Sequence, residues 1–162
     1  MPHRIDVTTP SDREIRVTRE FDAPRDLIFA CHTDPELVQR WLLGPPGWSM
    51  PVCEIDLRVG GRYRYVWRSD ADGSEFSFYG EYREIASPER LVHSEWMAGA
   101  EEAGESLCTL VLTEADGRTT LTQTMRFSTV EAFDQALQSG MTDGMGMSYD
   151  RLEQMMEEQA VR

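Results

Sequence analysis

The hydrophobic period changes along this chain, and this change constrains the fold more than any other feature. Residues 14–21, EIRVTREF, alternate between two faces, and six further segments with a period of two follow between residues 50 and 127. From Thr129 onward the apolar residues recur at helical spacing, with an interruption around Gly140 to Gly146. A period of two is typical of half-buried strands, and a period of 3.6 is typical of an amphipathic helix. The sequence therefore predicts seven strands and a long C-terminal helix.

The connections indicate how these elements are arranged. Two short helices are predicted between the first and second strands, one starting near Pro24 and one capped around Asp34, and the segment Gly44–Gly47 ends the second. The later strands are joined by short turns, so consecutive strands should be antiparallel neighbours. The predicted turns are Gly60-Gly61, Asp72-Gly73, Ser87-Pro88 and Asp116-Gly117, and a polar loop covers residues 98–105.

An antiparallel sheet with one apolar face needs a cover, and the last helix is the only long amphipathic element. The stripe predicted to be buried on this helix is Met141, Met145, Ser148, Leu152, Met155 and Met156. We therefore expect an α+β fold in which a curved antiparallel sheet wraps around the C-terminal helix. Residues 1–162 should form one domain, and residues 1–13 should be a flexible N-terminus.

Composition argues against several classes of partner. The formal net charge is −13, from 16 basic and 29 acidic side chains, and such a surface repels nucleic acids and anionic membranes. The chain contains no lysine, which excludes Schiff-base chemistry.

The cysteines, Cys31, Cys53 and Cys108, match neither a disulfide framework nor a zinc pattern. With no apolar segment of membrane-spanning length, we expect a cytoplasmic protein with free thiols.

The ionisable candidates for chemistry are few. His3 lies near the N-terminus, and His32 directly follows Cys31, so the two side chains diverge on a helix and make a poor nucleophile and base pair. His93 and Glu95 share one face of a strand, where they could form an acid and base couple or a solvated polar pair; the second is favoured. His93→Gln is therefore predicted to be neutral. No catalytic residue, metal site or cofactor is predicted.

A row of arginines, Arg62, Arg64 and Arg68, lies on one face of the third predicted strand. It could bind an anion, but we expect it to be the solvent face, because the opposite face is aromatic.

The aromatic face is the stronger lead, because it should converge on the methionine-rich helix if the sheet curls. Methionines adapt to variable shapes, and tyrosines bring hydroxyls that a sealed core must satisfy. A plain hydrophobic core remains the alternative. The residues predicted to line a ligand-binding cavity are Trp41, Trp48, Tyr63, Tyr65, Trp67, Phe76, Phe78, Met125, Phe127, Met141, Met145 and Leu152.

The segment WLLGPPGW, residues 41–48, places two tryptophans around a stiff turn. It could act as a lid, with Trp41 and Trp48 closing over a ligand, or as a staple that plugs a small core. The two interpretations are nearly equally supported by the sequence.

The stretches FDAPRDLIFACHTDPELVQRWLLGPPGW, DLRVGGRYR, YGEYREIASPERLVHSEW and DGMGMSYDRLEQMM together resemble the heat-shock-protein-ninety ATPase activator homologue family. This family is part of the START-like, or SRPBCC, superfamily. The resemblance covers about residues 14–158 and implies a helix-grip fold with a cavity that often holds an apolar ligand. Family members usually have a Gly-Trp pair where this chain has Gly144-Met145, and the eukaryotic activator has a second domain.

Three functional hypotheses follow. The leading one is a START-like domain that binds a small apolar or amphipathic molecule without catalysing a reaction. The second is an accessory protein with a chaperone as its partner. The third is a cyclase-like or hydrolase-like enzyme, which is weaker because no ionisable group with a strong claim is predicted to face inward. The chain could be a monomer or a homodimer.

Overall fold

The computed structural model describes residues 4–161 of the chain, which contain eight strands and four α-helices. A single 3-10 turn, Glu101–Ala103, lies in the loop before β7. In chain order the elements are β1 (Asp6–Ser11), β2 (Glu14–Phe21), α1 (Arg25–Thr33), α2 (Pro35–Trp41), β3 (Trp48–Ile55), β4 (Arg62–Ser69), β5 (Glu75–Ala86), β6 (Arg90–Met97), β7 (Ser106–Ala115), β8 (Arg118–Arg126), α3 (Val130–Gln138) and α4 (Met141–Val161).

The eight strands form one antiparallel sheet in the order β1-β2-β8-β7-β6-β5-β4-β3. From β3 to β8 each strand pairs with its neighbours in sequence, as the short turns predict. Among the described strands, the one pairing between strands far apart in sequence joins β2 to β8. The helices α1 and α2 connect β2 to β3, which is the edge strand on the opposite side.

Helix α4 packs across the concave face of this curved sheet, so the predicted α+β helix-grip fold is confirmed. Leu152 is fully buried, and Ser148, Met155 and Met156 are also buried, as the stripe predicts. Tyr149, which the stripe did not include, is buried beside them. No helix within residues 4–161 is long and apolar enough to span a membrane.

Both helices that follow β2 begin where the sequence indicates. Pro24 precedes α1, and Asp34 caps α2 by accepting a hydrogen bond from the Glu36 N–H at 3.1 Å. Pro35 then occupies the first turn of α2, where its missing N–H has no cost.

The N-terminal segment differs from the prediction. Residues 6–11 form β1, which pairs with β2, so a flexible N-terminus is wrong for these residues; residues 1–3 lie outside the described part. Every residue of β1 is exposed, so the strand has no buried face and gives no alternating pattern. Ile5, just before it, packs against the core and contacts α4 at Gly146.

The interruption of the helical region is shorter than predicted. The break lies only at Ser139 and Gly140, where Gly140 has a φ of +82°. Gly144 and Gly146 instead lie inside α4. A Cβ on Gly144 would lie 3.6 Å from Pro45, in the loop that follows α2.

Candidate ligand site on the concave face

The structure divides the predicted cavity residues between two apolar clusters. In the larger cluster Trp41, Tyr63, Met125 and Leu152 are buried, and Phe127, Met141 and Met145 are partly buried at its margin. In the smaller cluster Trp67 is buried, with Trp48, Phe76 and Phe78 partly buried around it. Tyr65 contacts both clusters.

The smaller cluster is a continuous aromatic surface on β3, β4 and β5. The Trp67 ring stacks on Phe76, with centroids 4.9 Å apart and planes at 17°. Trp48 meets Phe76 edge-on at 5.2 Å, and Phe78 meets Trp67 edge-on at 5.6 Å. Because three of these four rings remain partly exposed, this surface can still gain apolar contacts.

Trp41 lies in the core, and its position corrects the expectation that it closes over a ligand. Its side chain is 1% exposed, and its indole Nε1–H donates to the Cys31 carbonyl at 2.7 Å. The ring stacks on Tyr149 of α4 at 5.8 Å and meets His32 edge-on at 4.8 Å.

The loop between α2 and β3 is attached on two sides. The Gly44 N–H donates to Ser148 Oγ at 2.9 Å, and Arg151 Nη1 donates to the Gly44 carbonyl at 2.7 Å, so α4 holds the loop. On the sheet side, Trp67 Nε1 donates to the Leu42 carbonyl at 2.7 Å. These contacts favour the staple interpretation for the first half of WLLGPPGW. Trp48, at the start of β3, keeps a partly exposed ring.

A line of polar groups crosses the concave face next to the aromatic surface. Tyr63 Oη donates to the Ser94 carbonyl at 2.7 Å and lies 3.0 Å from His93 Nδ1. This contact crosses β5 at Gly80, where a Cβ would lie 1.9 Å from the Ser94 carbonyl oxygen and 2.8 Å from the Tyr63 ring. Glycine at this position therefore allows the Tyr63 ring to reach β6.

Burial keeps the tyrosines on this face protonated, because desolvation raises the pKa of Tyr63, Tyr65 and Tyr82 above the ordinary value. The Tyr65 and Tyr82 hydroxyls lie near each other and influence each other's pKa. Among the described residues the Tyr82 hydroxyl has no hydrogen-bond partner. Such an unsatisfied buried group is unusual in a folded protein.

His93 and Glu95 are on the concave face, so the prediction that they form a solvated pair is wrong. The His93 ring contacts Tyr63 edge-on at 4.9 Å, and desolvation by burial lowers its pKa to about 4. Burial also raises the pKa of Glu95, whose Oε2 lies 3.5 Å from the Sγ of Cys108 on the adjacent strand. The prediction that no ionisable group with a strong claim to a chemical role faces inward is therefore also wrong, and the prediction that His93→Gln is neutral loses its basis.

Three of these inward groups combine burial with accessibility. Tyr65, His93 and Glu95 are surrounded by enough protein for desolvation to dominate their pKa shifts, yet each residue as a whole keeps some accessible surface. Side chains that line a deep cleft or an interior space have this combination of properties.

A buried arginine ties the sheet to α4. Arg19 of β2 is 2% exposed, and its Nη1 lies 2.8 Å from Asp150 Oδ1. Its Nη2 lies 3.4 Å from Glu153 Oε1, and its guanidinium lies over the Phe21 ring at 5.4 Å from the centroid. The alternation of β2 places Arg19 inward, but the sequence does not indicate its acidic partners on α4.

The opposite face of the sheet is polar. Arg62, Arg64 and Arg68 are exposed, as predicted for the solvent face, and two of them pair with Glu54 and Glu75. Two open grooves on this outer face, of about 440 and 380 Å³, are lined mainly by threonines and charged residues of the strands. Neither groove matches the predicted apolar cavity.

Comparison with known proteins identifies similar chains. Residues 22–157 match the family model described as activator of Hsp90 ATPase homolog 1-like protein. A solved protein from Rhodobacter sphaeroides is 30% identical, with 95% of this chain and 98% of that chain covered and a TM-score of 0.88. A protein from Mycobacterium smegmatis is 26% identical, with coverages of 96% and 97% and a TM-score of 0.84.

A more distant structure is an HSP90 activator from Plasmodium falciparum, which is 20% identical, with 78% of this chain and 89% of that chain covered. Its TM-score of 0.55 indicates a shared fold alone. No protein with curated annotation matches the chain.

Proposed function

This chain belongs to the family of activator of Hsp90 ATPase homolog 1-like proteins, and we propose that it binds a small apolar or amphipathic molecule between the concave face and α4. The observation that carries this proposal is the partial accessibility of Tyr65, His93 and Glu95 on an inward-facing surface. In a fully packed core these side chains would have no accessible surface.

The aromatic surface of Trp48, Trp67, Phe76 and Phe78 provides the apolar wall for such a molecule. Small-molecule sites are mostly apolar and carry a few polar groups that fix the orientation of the ligand. The polar groups here are His93, Glu95 and the unpaired Tyr82 hydroxyl. A ligand with an apolar body and one hydrogen-bonding end would satisfy both regions, which favours an amphipathic molecule.

The three cysteines lie within the described residues as free thiols, which is compatible with action in a reducing cytoplasm. Burial raises the pKa of Cys31 and Cys53 to about 11, so their thiols stay protonated and unreactive at neutral pH.

Titration with the neutral fluorescent probe N-phenyl-1-naphthylamine tests the proposal. We expect saturable binding that quenches tryptophan fluorescence, because Trp48 and Trp67 belong to the wall. Phe78→Ala should weaken probe binding by ~10-fold, the effect of losing one large buried contact. Tyr79→Ala is the matched control, since Tyr79 is the next residue, on the opposite face, with its hydroxyl donating to Glu101. Absence of saturable binding, or equal losses in both variants, would refute the proposal.

The role of Trp48 needs a separate variant. If its ring covers the open end of the aromatic wall, Trp48→Ala should reduce the fluorescence response to the probe and leave the unfolding midpoint nearly unchanged. If its ring is part of a core plug, the same variant should destabilise the protein by ~3 kcal/mol or more and leave probe binding intact.

A second candidate function, suggested by the description of the family, is that this protein binds a chaperone. Such a role would use the outside of the molecule, where Leu57 and Val59 are exposed on the turn between β3 and β4. A chaperone ATPase assay with and without this protein separates the two candidates. A binder of small molecules leaves the ATPase rate unchanged, whereas an accessory protein raises it, and Leu57→Ser with Val59→Ser should then abolish the increase.

A further inference from the structure

His93, Glu95 and Cys108 place three different donor types together on the concave face. One nitrogen, one carboxylate oxygen and one sulfur atom all lie within 4.8 Å of one another. The sheet register fixes this group, because His93 of β6 is directly opposite Cys108 of β7, and Glu95 is two residues along the same face of β6. The cluster is therefore held by two central strands rather than by a loop.

The spacing of these donors is close to that of a metal coordination sphere. In a tetrahedral zinc site with bonds of ~2.0 to 2.3 Å, neighbouring ligand atoms are separated by roughly 3.3 to 3.8 Å. Glu95 Oε2 and Cys108 Sγ are already 3.5 Å apart. The donor atoms would have to move closer by about 1 Å at most to reach this spacing.

Tyr63 prepares the imidazole of His93 for coordination. The single hydroxyl hydrogen of Tyr63 is donated to the Ser94 carbonyl, so the contact between Tyr63 Oη and His93 Nδ1 requires the hydrogen to be on Nδ1. The lone pair of His93 is then on Nε2, so Nε2 is the nitrogen that would coordinate a metal ion. Ligating histidines are usually oriented in this way by a hydrogen bond from the other ring nitrogen.

We propose that His93, Glu95 and Cys108 form a binding site for a divalent transition metal ion, with Zn²⁺ as the ion that best fits a nitrogen, oxygen and sulfur donor set. A thiolate ligand disfavours Mg²⁺ and Ca²⁺, which take oxygen ligands. Three protein ligands leave a fourth position open, as in catalytic zinc sites. The sequence alone does not predict this site, because the spacing of its cysteines matches no zinc-binding motif.

The three donors lie on the same inward face of the sheet as the proposed ligand site. An ion there would accept an oxygen or nitrogen atom from the polar end of a bound molecule and polarise it as a Lewis acid. The metal site does not depend on this second step, since its ligands all come from the chain.

Cobalt substitution tests the site in the intact protein. The wild-type protein, loaded with Co²⁺ and freed of excess ion, should bind one equivalent and show a thiolate-to-cobalt charge-transfer band, which reports a cysteine ligand directly. Zn²⁺ should displace the cobalt and abolish the band. A wild-type protein that binds no ion, or binds cobalt without the thiolate band, would overturn the proposal.

Variants identify the ligands. Cys108→Ser should remove the charge-transfer band, and Glu95→Gln should lower Zn²⁺ affinity by more than the ~10- to 100-fold typical of outer-shell changes. Tyr63→Phe should retain the band and lose ~10-fold in affinity, because only the orientation of His93 is affected. Cys53→Ser, at a thiol on β3 outside the cluster, is the control and should bind as wild type. Equal affinity and spectra in the Cys108 and Cys53 variants would refute the assignment.

Discussion

Truncation of Leu152 to alanine tests whether α4 is packed against the sheet. Leu152 is 0% exposed at the centre of α4 and belongs to the main core cluster. The change removes three carbon atoms, and at ~0.8 kcal/mol per buried methylene their transfer to water alone costs about 2.4 kcal/mol. An unrelaxed cavity raises the cost toward ~5 kcal/mol. For a chain of this size the midpoint of thermal unfolding should fall by roughly 5 to 20 °C.

Urea unfolding followed by circular dichroism measures the loss in the free energy of unfolding. If the dependence of this free energy on urea concentration is the same in the variant and the wild type, their folded and unfolded states expose similar surface areas and the two values can be compared. Leu137→Ala is the control, because Leu137 of α3 is 39% exposed and its truncation should change stability by less than ~0.5 kcal/mol. A Leu152→Ala variant as stable as Leu137→Ala would refute the packing of α4. A loss well below 2 kcal/mol would indicate that Leu152 already borders an open space.

Further changes probe other parts of the structure. Gly80→Ala should destabilise the protein by ~1 to 3 kcal/mol or more in urea unfolding, because its Cβ would collide with the Ser94 carbonyl oxygen at 1.9 Å; wild-type stability would contradict this contact. Ser148→Ala should cost ~1 to 3 kcal/mol by leaving the Gly44 N–H without its acceptor, and an unaffected loop in hydrogen exchange would count against that anchor. The pKa of His32 is lowered to about 4 by burial, so the unfolded chain takes up a proton below pH 6.5 before the folded chain does. Stability should fall as pH drops from 6.5 toward 4, by up to ~1.4 kcal/mol per pH unit from this residue, and His32→Gln should remove that part of the slope.

Most of the fold was predictable because its signals are local. Each central strand alternates or is bounded by turn residues, and the buried stripe of α4 recurs at helical spacing. Pro24 and Asp34 similarly indicate where α1 and α2 begin. In contrast, β1 lacks a buried face, so its stability depends on pairing with β2, and pairing of this kind leaves no pattern in the sequence of the strand itself.

The polar side of the candidate site was harder to predict. In β6 the apolar residues are on both faces, with Leu91 on one and Val92 and Trp96 on the other, so alternation does not decide which face is inward. The sequence therefore favours a solvent-facing position for His93 and Glu95, whereas the structure places them on the concave face. Their contact with Cys108 depends on the register between strands, which the sequence of a single strand does not contain.

The aromatic residues of the candidate site were predicted better, but the sequence did not show that they divide between two apolar clusters. Tyr63, Tyr65 and Trp67 alternate on β4 and all face inward, as expected. Trp41 was grouped with Trp48 because both border the same short segment. The structure separates them, since Trp41 ends α2 in the core and Trp48 begins β3 beside Phe76.

Native mass spectrometry of gently purified protein tests most directly whether the concave face holds a ligand. We predict that the mass of the folded protein exceeds that of the polypeptide by the mass of one small molecule, and that this molecule is released on denaturation. Phe78→Ala should reduce the occupied fraction, and Tyr79→Ala should not. A folded protein that shows only the mass of the polypeptide, even after incubation with N-phenyl-1-naphthylamine, would contradict the account.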